Sequence, residues 1–571
     1  MEKRLIEDSL PLKEISEASV QETNIRRGHI KNLHTWWARR PLAACRAAVY
    51  ASLVPAPKNE KERKEQHELI KKLVNWDTLD MSHPDHWVIE EVQKRLLKAN
   101  GGVPPKILDP FAGGGSIPLE AQRLGCETYA SDLNPVAHII QLCTLYYPQK
   151  FAHLRLKNKD EFGQEYDGGS QLVHDVRKWG EWVYEKVKEE IGHLYDTGDP
   201  NEIPVAYIWA RTVTCPNPAC KAEVPLVKSW WLINTKNKKF ALKPIPDLLK
   251  KEINFEIVED SSINFEAANK GTILDAKGVC LCCNQAITNK YIQEEGNKIG
   301  LGNKLMAIVS QMKGIKERVY RIPNEIDLDI IQKLKPNTSK IQKSELHWVP
   351  DEPTPIKTTG GGGSCHRYGY KTFGTLFNPR QVLALTVFCK YIRQTYEEIL
   401  KECHNEEYVK AITTYLSCIL SNLSRKLNNI AVWNGTIQNA FGRQAIAMMW
   451  EYPEGNPLSE SAGSWKTYMD SILNGIENIC FYNYAKVISK ESATRLSSSN
   501  DYYDLLISDP PYYDSVPYSD LSDFFYVWLK RCLNDLYPDI FVTQLTPKRS
   551  EIIQDTFNKK TKEFFELKMK E

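Results

Sequence analysis

Long apolar runs, an export signal and net charge are all missing from this chain. No apolar run in its 571 residues approaches the roughly 20 that a membrane-spanning helix needs, so no membrane partner is expected. The start, Met1-Glu2-Lys3-Arg4-Leu5-Ile6-Glu7-Asp8, lacks the apolar region of an export signal, and a cytoplasmic protein is expected. Net charge is only +2 at pH 7, so a nucleic-acid partner would have to meet a local basic face. Two familiar nucleotide motifs are also absent. Gly113-Gly114-Gly115-Ser116-Ile117-Pro118 lacks the G-x-G-x-x-G spacing of a dinucleotide fingerprint, and no Gly-Lys-Ser/Thr follows to make a P-loop. No internal repeat is evident.

What is present is ordinary in bulk and specific in detail. The length allows two to four domains with substantial cores. A hydrophobic content of 42% with 26% charged residues fits a globular chain. Fourteen cysteines in a chain without an export signal argue for reduced thiols, some of them metal ligands.

Two motifs each follow a short apolar run. Ile107-Leu108 leads into Asp109-Pro110-Phe111-Ala112-Gly113-Gly114-Gly115 and a predicted helix from Ser116 to Leu124. Glycines at such a turn tolerate positive φ and let a ligand approach the backbone. In an α/β sheet this is the usual place for a nucleotide-type cofactor. Leu505-Leu506-Ile507 leads into Asp509-Pro510-Pro511-Tyr512-Tyr513-Asp514, a compact amine-handling loop. The plainer readings are an ordinary strand-to-helix turn and a rigid Pro-Pro loop. Together the motifs say more, because two strand-end sites in one sheet would face each other.

Asp132 follows a second predicted strand, Glu127–Ser131, where a carboxylate can accept from both ribose hydroxyls; its alternative is a helix N-cap. Cys215-Pro216-Asn217-Pro218-Ala219-Cys220 pairs with Cys280-Leu281-Cys282-Cys283. Cys215, Cys220, Cys280 and Cys283 suit a tetrahedral, structural Zn²⁺ with four thiolates, leaving Cys282 spare. His34-Thr35-Trp36-Trp37-Ala38-Arg39-Arg40 mixes cations with aromatics. It reads either as a contact to phosphate or a stacked base, or as the packed start of a helix. Lys426, Arg443, Lys548 and Arg549 are further cations that could meet DNA.

Taken together, these segments resemble the large adenine-specific DNA methylases that carry a zinc ribbon and an N-terminal DUF1156-type domain. Phe111, Gly113 and Gly115 fit that family's F-x-G-x-G cofactor motif, and Asp509-Pro510-Pro511-Tyr512 fits its D/N/S-P-P-Y/F motif. The resemblance runs from about Leu5 to Lys568, through His34–Pro41, Ser131–Pro135 and the cysteine module. It implies an α/β fold with a Rossmann-like methyltransferase sheet using S-adenosylmethionine, apparently incomplete at the C-terminus, with a long insertion holding the zinc ribbon and helical segments. Asp109, Phe111, Gly113, Gly115 and Asp132 would bind the cofactor, with Ser492-Ala493 near its adenine. Asp509 and the Pro510 carbonyl would accept hydrogen bonds from a flipped base amine, Pro511 would stiffen the loop, and Tyr512 would offer a ring face. Tyr513 and Asp514 would line the pocket.

The implied organisation runs in five parts. Residues 1–100 are a DUF1156-like helical region, and 101–150 the first part of the methyltransferase domain. Residues 151–357 are an insertion with the zinc ribbon at about 211–285, and 358–480 a helical insertion offered for target recognition, opening on a glycine-rich joint at Thr358–Ser364. Residues 481–571 are the second part, with strands predicted at Ala485–Ser489 and Leu505–Ser508. The implied activity is adenine N6 methylation of DNA in restriction–modification or phage defence. Its partners would be DNA and other defence proteins, or a chain supplying missing C-terminal strands. The same loop is compatible with cytosine N4, with methylation of RNA or another amine, or with a non-catalytic zinc-ribbon protein that binds DNA or a partner.

Overall fold

Four short parallel strands carry the two motifs. They are β1 (Lys106–Asp109), β2 (Glu127–Ser131), β3 (Val487–Ser489) and β4 (Leu505–Leu506), in the order β3-β2-β1-β4. The computed structural model describes residues 3–159, 164–315, 317–335, 339–341, 344–356, 364–442, 444–480, 486–497, 499, 501–512, 517–554 and 560–570. Thr358–Gly363 of the expected joint, Arg443, Ala485, Tyr513 and Asp514 fall outside them.

The register pairs Ile107 with Leu505 on one side of β1 and with Thr128 on the other. Ser489 at the end of β3 pairs with Ser131 at the end of β2. From β1 the chain steps outward to β2 and β3, then crosses back to lay β4 on the opposite side of β1. The gap between β1 and β4 is therefore a topological switch point, where open parallel sheets leave a crevice beyond their carboxyl ends.

Helix α2 (Ser116–Arg123) follows the glycine loop and is capped by Gly115 in the left-handed conformation. The next helix is predicted as one run, Val136–Leu145. Instead Pro135–Gln141 is α-helical, Leu142–Tyr146 widens into a π-turn and Tyr147–Lys150 resumes. Pro148 is the physical reason. It has no N–H to give, and its ring would crowd the carbonyl four residues back, so the turn ahead of it opens.

Most of the longer helices share one hydrophobic core beside this sheet. Pro379–Glu402 and Glu406–Ser424 pack on helix α3 (Tyr518–Leu533), and Gln171–Ile191 and Trp465–Glu477 pack behind them, in one hydrophobic core that also contains Leu119 and Ala130. Helix Pro379–Glu402 starts on strong local signals: Asn378 and Gln381 form a reciprocal capping box, with Pro379 in the first turn. In α3 every residue from Leu521 to Leu533 is buried. The burial of Arg531 is compensated by hydrogen bonds to the His347 and Val527 carbonyls and a 2.9 Å ion pair with Glu352.

A second, antiparallel sheet is centred on Glu202–Thr214, which pairs with Gly302–Met312, Glu223–Leu226 and Glu451–Gly455. The chain is thus a mixed α/β protein with several sheets. No described helix is long and apolar enough to cross a membrane.

Candidate functional site

The N-terminal arm is fixed first, by one carboxylate. Buried Glu22 accepts from the Leu42 and Ala43 amides at 2.8 and 3.0 Å, and its Oε1 lies 2.7 Å from His29 Nε2. It thereby satisfies amides that open helix α1 (Leu42–Leu53), with negative charge at the positive end of the helix dipole. Helix α1 is then clamped to α2 by Arg46 and Glu120, an ion pair at 3.4 Å with both side chains fully buried. The chain entering α1, Trp36 to Pro41, is thus held across the carboxyl ends of β1 and β4.

The segment that mixes cations with aromatics is partly core and partly site. His34 is buried, bonded to Ser421 Oγ at 2.7 Å, and burial lowers its pKa to about 4, so it is neutral. Trp37 packs edge-on to Phe441, and Trp36 stacks on Tyr518 with 5.8 Å between ring centroids. Arg39 donates to the Gly114 carbonyl at 3.0 Å and the His34 carbonyl at 3.3 Å. Burial lowers its pKa to about 10.

The glycines are required by both backbone and neighbours. Gly113 and Gly115 have φ of +49° and +79°, and a Cβ on Gly113 would lie 2.4 Å from Trp36 Nε1. Asp132 holds the loop from the next strand, accepting from Gly113 N at 2.9 Å and Asn134 N at 2.8 Å. The helix cap is Asn134, whose side chain accepts from Val136 N at 2.9 Å. Asp109 accepts from Phe111 N at 3.1 Å and Ser508 Oγ at 2.9 Å, tying the two strand ends together. Burial raises Asp132 to about 6 and Asp109 to about 7.

That perturbation has a testable sign. A buried carboxyl with a raised folded pKa takes up protons on folding, so the stability it confers is present at low pH. For Asp109 this contribution is lost as pH rises from about 4 through 7. Asp109→Asn keeps an acceptor oxygen for Phe111 N and Ser508 Oγ but cannot ionise. The melting temperature of the variant relative to the unaltered protein is expected to climb by about 1–3 °C between pH 5 and pH 8. A difference that stays flat across that range would contradict the assignment.

Around these groups lies one pocket. Asp109–Gly114, Ser116, Ile117, Asp132–Asn134, Asp509 and Pro511 line it, with Trp36, Arg39 and Arg40 from the arm. Ser492 and Ala493, which follow β3, also line it. Ser116 Oγ is buried there, at the amide end of α2, with no hydrogen-bond partner among the described residues. The motif after β4 presents Asp509 to the pocket. Arg40 Nε donates to Asp509 Oδ2 at 2.5 Å, Arg40 Nη2 donates to the Tyr512 hydroxyl, and that hydroxyl donates to Asp509 Oδ1 at 3.2 Å. The Arg40 and Asp509 side chains are 36% and 27% exposed, so the pair contributes about 0–1 kcal/mol.

A further wall was not legible from motifs. Tyr518, Ser519, Pro547, Ser550, Glu551 and Ile552 complete the pocket. Glu551 accepts from Ser519 N at 3.0 Å and Ser519 Oγ at 2.5 Å, and burial raises it to about 7. Lys548, a candidate DNA contact, is instead paired with buried Asp523.

The cysteines meet in a separate place. Cys215, Cys220, Cys280 and Cys283 bring their Sγ atoms within 4.8 Å of one another and could hold a metal ion; Cys282 is not among them. Each pair sits in a knuckle between strands. Cys215 N donates to Ala222 O, and Cys280 N to Gln285 O. The residues after the second cysteine of each pair, Lys221 and Asn284, turn the chain with φ of 55° and 57°. The Sγ separations of 3.6 Å (Cys215–Cys283) and 3.8 Å (Cys220–Cys280) fit a tetrahedral cage, whose edges are about 3.8 Å for 2.3 Å metal–sulfur bonds.

Against known proteins, one segment is recognised. Residues 9–75 match the family described as a protein of unknown function, DUF1156. No curated protein and no solved structure matches the chain. The matched segment is the part that supplies Glu22, Trp36, Arg39 and Arg40, so a region of unknown function forms one wall of the pocket.

Proposed function

We propose that this chain is an S-adenosylmethionine-dependent methyltransferase that acts on an exocyclic base amine in DNA, with adenine N6 as the preferred target. The observation that carries the reading is the meeting of the glycine loop after β1 and the Asp509–Tyr512 loop after β4 in one pocket at the switch point of one sheet. The parallel sheet is accordingly read as Rossmann-like.

The residues fit the cofactor. The positive-φ Gly113, the Ser116 hydroxyl, unpartnered among the described residues, and the amide end of α2 offer a polar cradle, while Gly115 caps α2 behind it against Thr144 and Leu145; the carboxylate of Asp132 stands at the end of the neighbouring strand. When bound, S-adenosylmethionine supplies a methyl group on a positively charged sulfur. The protein's share is to prepare the nitrogen. A base amine is a poor nucleophile because its lone pair is delocalised into the ring. Asp509, with the Pro510 carbonyl, accepts the amine's hydrogens and favours a localised lone pair. Pro510-Pro511 holds those acceptors in place before the base arrives. Tyr512, half exposed at the rim, offers its ring to a base turned out of the duplex. Labelled methyl transfer to unmethylated DNA, with modified bases sequenced afterwards, tests the reading. Incorporation into RNA or protein but not DNA would overturn its substrate.

In the same reading the four-cysteine cluster is a structural zinc site, since four sulfurs leave no open position for chemistry. Elemental analysis should find about one zinc per chain, with Cys282→Ser retaining it and Cys283→Ser losing it. The reverse pattern would reassign the ligands.

A further inference from the structure

Among the groups lining the pocket, Arg40 is used in a way the proposed chemistry does not require. Asp509 offers two carboxylate oxygens to an incoming amine, and both already accept a hydrogen bond: Oδ2 from Arg40 Nε at 2.5 Å and Oδ1 from the Tyr512 hydroxyl at 3.2 Å. The same guanidinium donates to that hydroxyl and lies 5.3 Å from the centroid of the Tyr512 ring. One cation therefore covers the acceptor carboxylate and the aromatic face together. A guanidinium and an exocyclic amine are both donors only, so they compete for the same oxygens.

The neighbouring residues make this contact a hinged one. Arg39 is buried and tied to two carbonyls, and Pro41 leads into the Glu22-capped start of α1, so the backbone on both sides is anchored. Arg40 itself is at the rim with its side chain 36% exposed. It can swing without disturbing the arm. Among the anions a nucleic acid brings to such a rim, phosphate takes an arginine fork with two parallel bonds, which a lone carboxylate oxygen does not.

We propose that Arg40 is a latch: it closes the amine-accepting site of Asp509 and Tyr512 at rest, and is drawn off by a backbone phosphate of the target strand. The DUF1156 segment then couples strand engagement to access. A free nucleoside lacks the phosphate that would release the latch, so it meets a closed site.

This inference rests on the proposed function, and the test separates the two. Binding of 2′-deoxyadenosine and of a short oligodeoxyadenylate is measured by ligand-observed NMR for the unaltered chain and Arg40→Ala, with S-adenosylmethionine affinity measured alongside by calorimetry. The latch predicts unchanged S-adenosylmethionine affinity. It predicts nucleoside binding about five- to tenfold tighter in Arg40→Ala, the loss of a partly exposed ion pair and a cation–π contact. The oligonucleotide should gain less than the nucleoside, because its phosphate partner has gone. Arg40→Lys, which keeps the charge but not the fork, should fall between. If S-adenosylmethionine binds equally to both proteins while nucleoside binding is unchanged or weaker in Arg40→Ala, Arg40 is a positioning residue for Asp509 and the latch is overturned. If neither protein binds S-adenosylmethionine or nucleoside, the proposed function itself fails, and the latch with it.

Discussion

Asp509→Ala is expected to keep its affinity for S-adenosylmethionine and to lose methyl transfer by about a hundredfold or more, the usual result of deleting one preorganised polar group. The two halves of that expectation rest on different strands. The glycine loop is held by Asp132, whose bonds to Gly113 N and Asn134 N do not involve the loop after β4. Asp509 contacts only Arg40 and Tyr512 among the described hydrogen bonds. Removing it should therefore leave the fold intact. Asp509→Asn keeps one acceptor oxygen and should fall between the two. Calorimetry with S-adenosylmethionine and labelled methyl incorporated into DNA read the two effects separately. Full activity of the alanine variant would reduce the Asp509–Tyr512 loop to a rigid turn.

Gly113→Val should abolish cofactor binding, for two additive reasons. At φ +49° a β-branched residue is strained, at a cost of about 1–3 kcal/mol. Its Cβ would also meet Trp36 Nε1 at 2.4 Å, and Trp36 is braced by its stack on Tyr518, so the loop rather than the indole must give. Gly125→Val is the matched control. It has φ of +81° and a Cβ 3.4 Å from the flexible Gln93 side chain, outside the pocket. It should lower the melting temperature yet bind S-adenosylmethionine normally. Tight binding by Gly113→Val would remove the cofactor from this loop.

The sequence made some of this legible and hid the rest for physical reasons. Lys106–Asp109 and Glu127–Ser131 emerge at their predicted bounds because Pro, Gly and Asp punctuate them. Gly302–Met312 passes within a stretch that reads as charged and mixed. Leu305–Ser310 is buried throughout, between strands on both sides, so no alternation marks it. The helix Val136–Leu145 reads correctly at its start and wrongly at its end, because only the helical register reveals what Pro148 does to the turn before it. The grouping of Cys215, Cys220, Cys280 and Cys283 follows from spacing alone. The Arg40–Asp509 pair does not, since 469 positions separate its members and nothing in either motif names the other. A cation beside aromatics does not disclose whether it faces solvent, core or site.

The order in which the pocket's parts leave the ribosome has its own consequence. Trp36 and the glycine loop are made early, but β4, Asp509 and helix α3, buried from Leu521 onward, come from beyond residue 504. At synthesis rates of about 5–20 residues per second, those first parts wait about 25–100 s for their partners. Until then β1 lacks its neighbour on one side, and the aromatic faces that α3 will cover stay bare and open to chaperones. A prematurely terminated chain of some 500 residues would thus hold the entire glycine loop and none of the Asp509–Tyr512 loop. The late return of the chain to the free side of β1 means that the two halves of the pocket can meet only after residue 509 has been made.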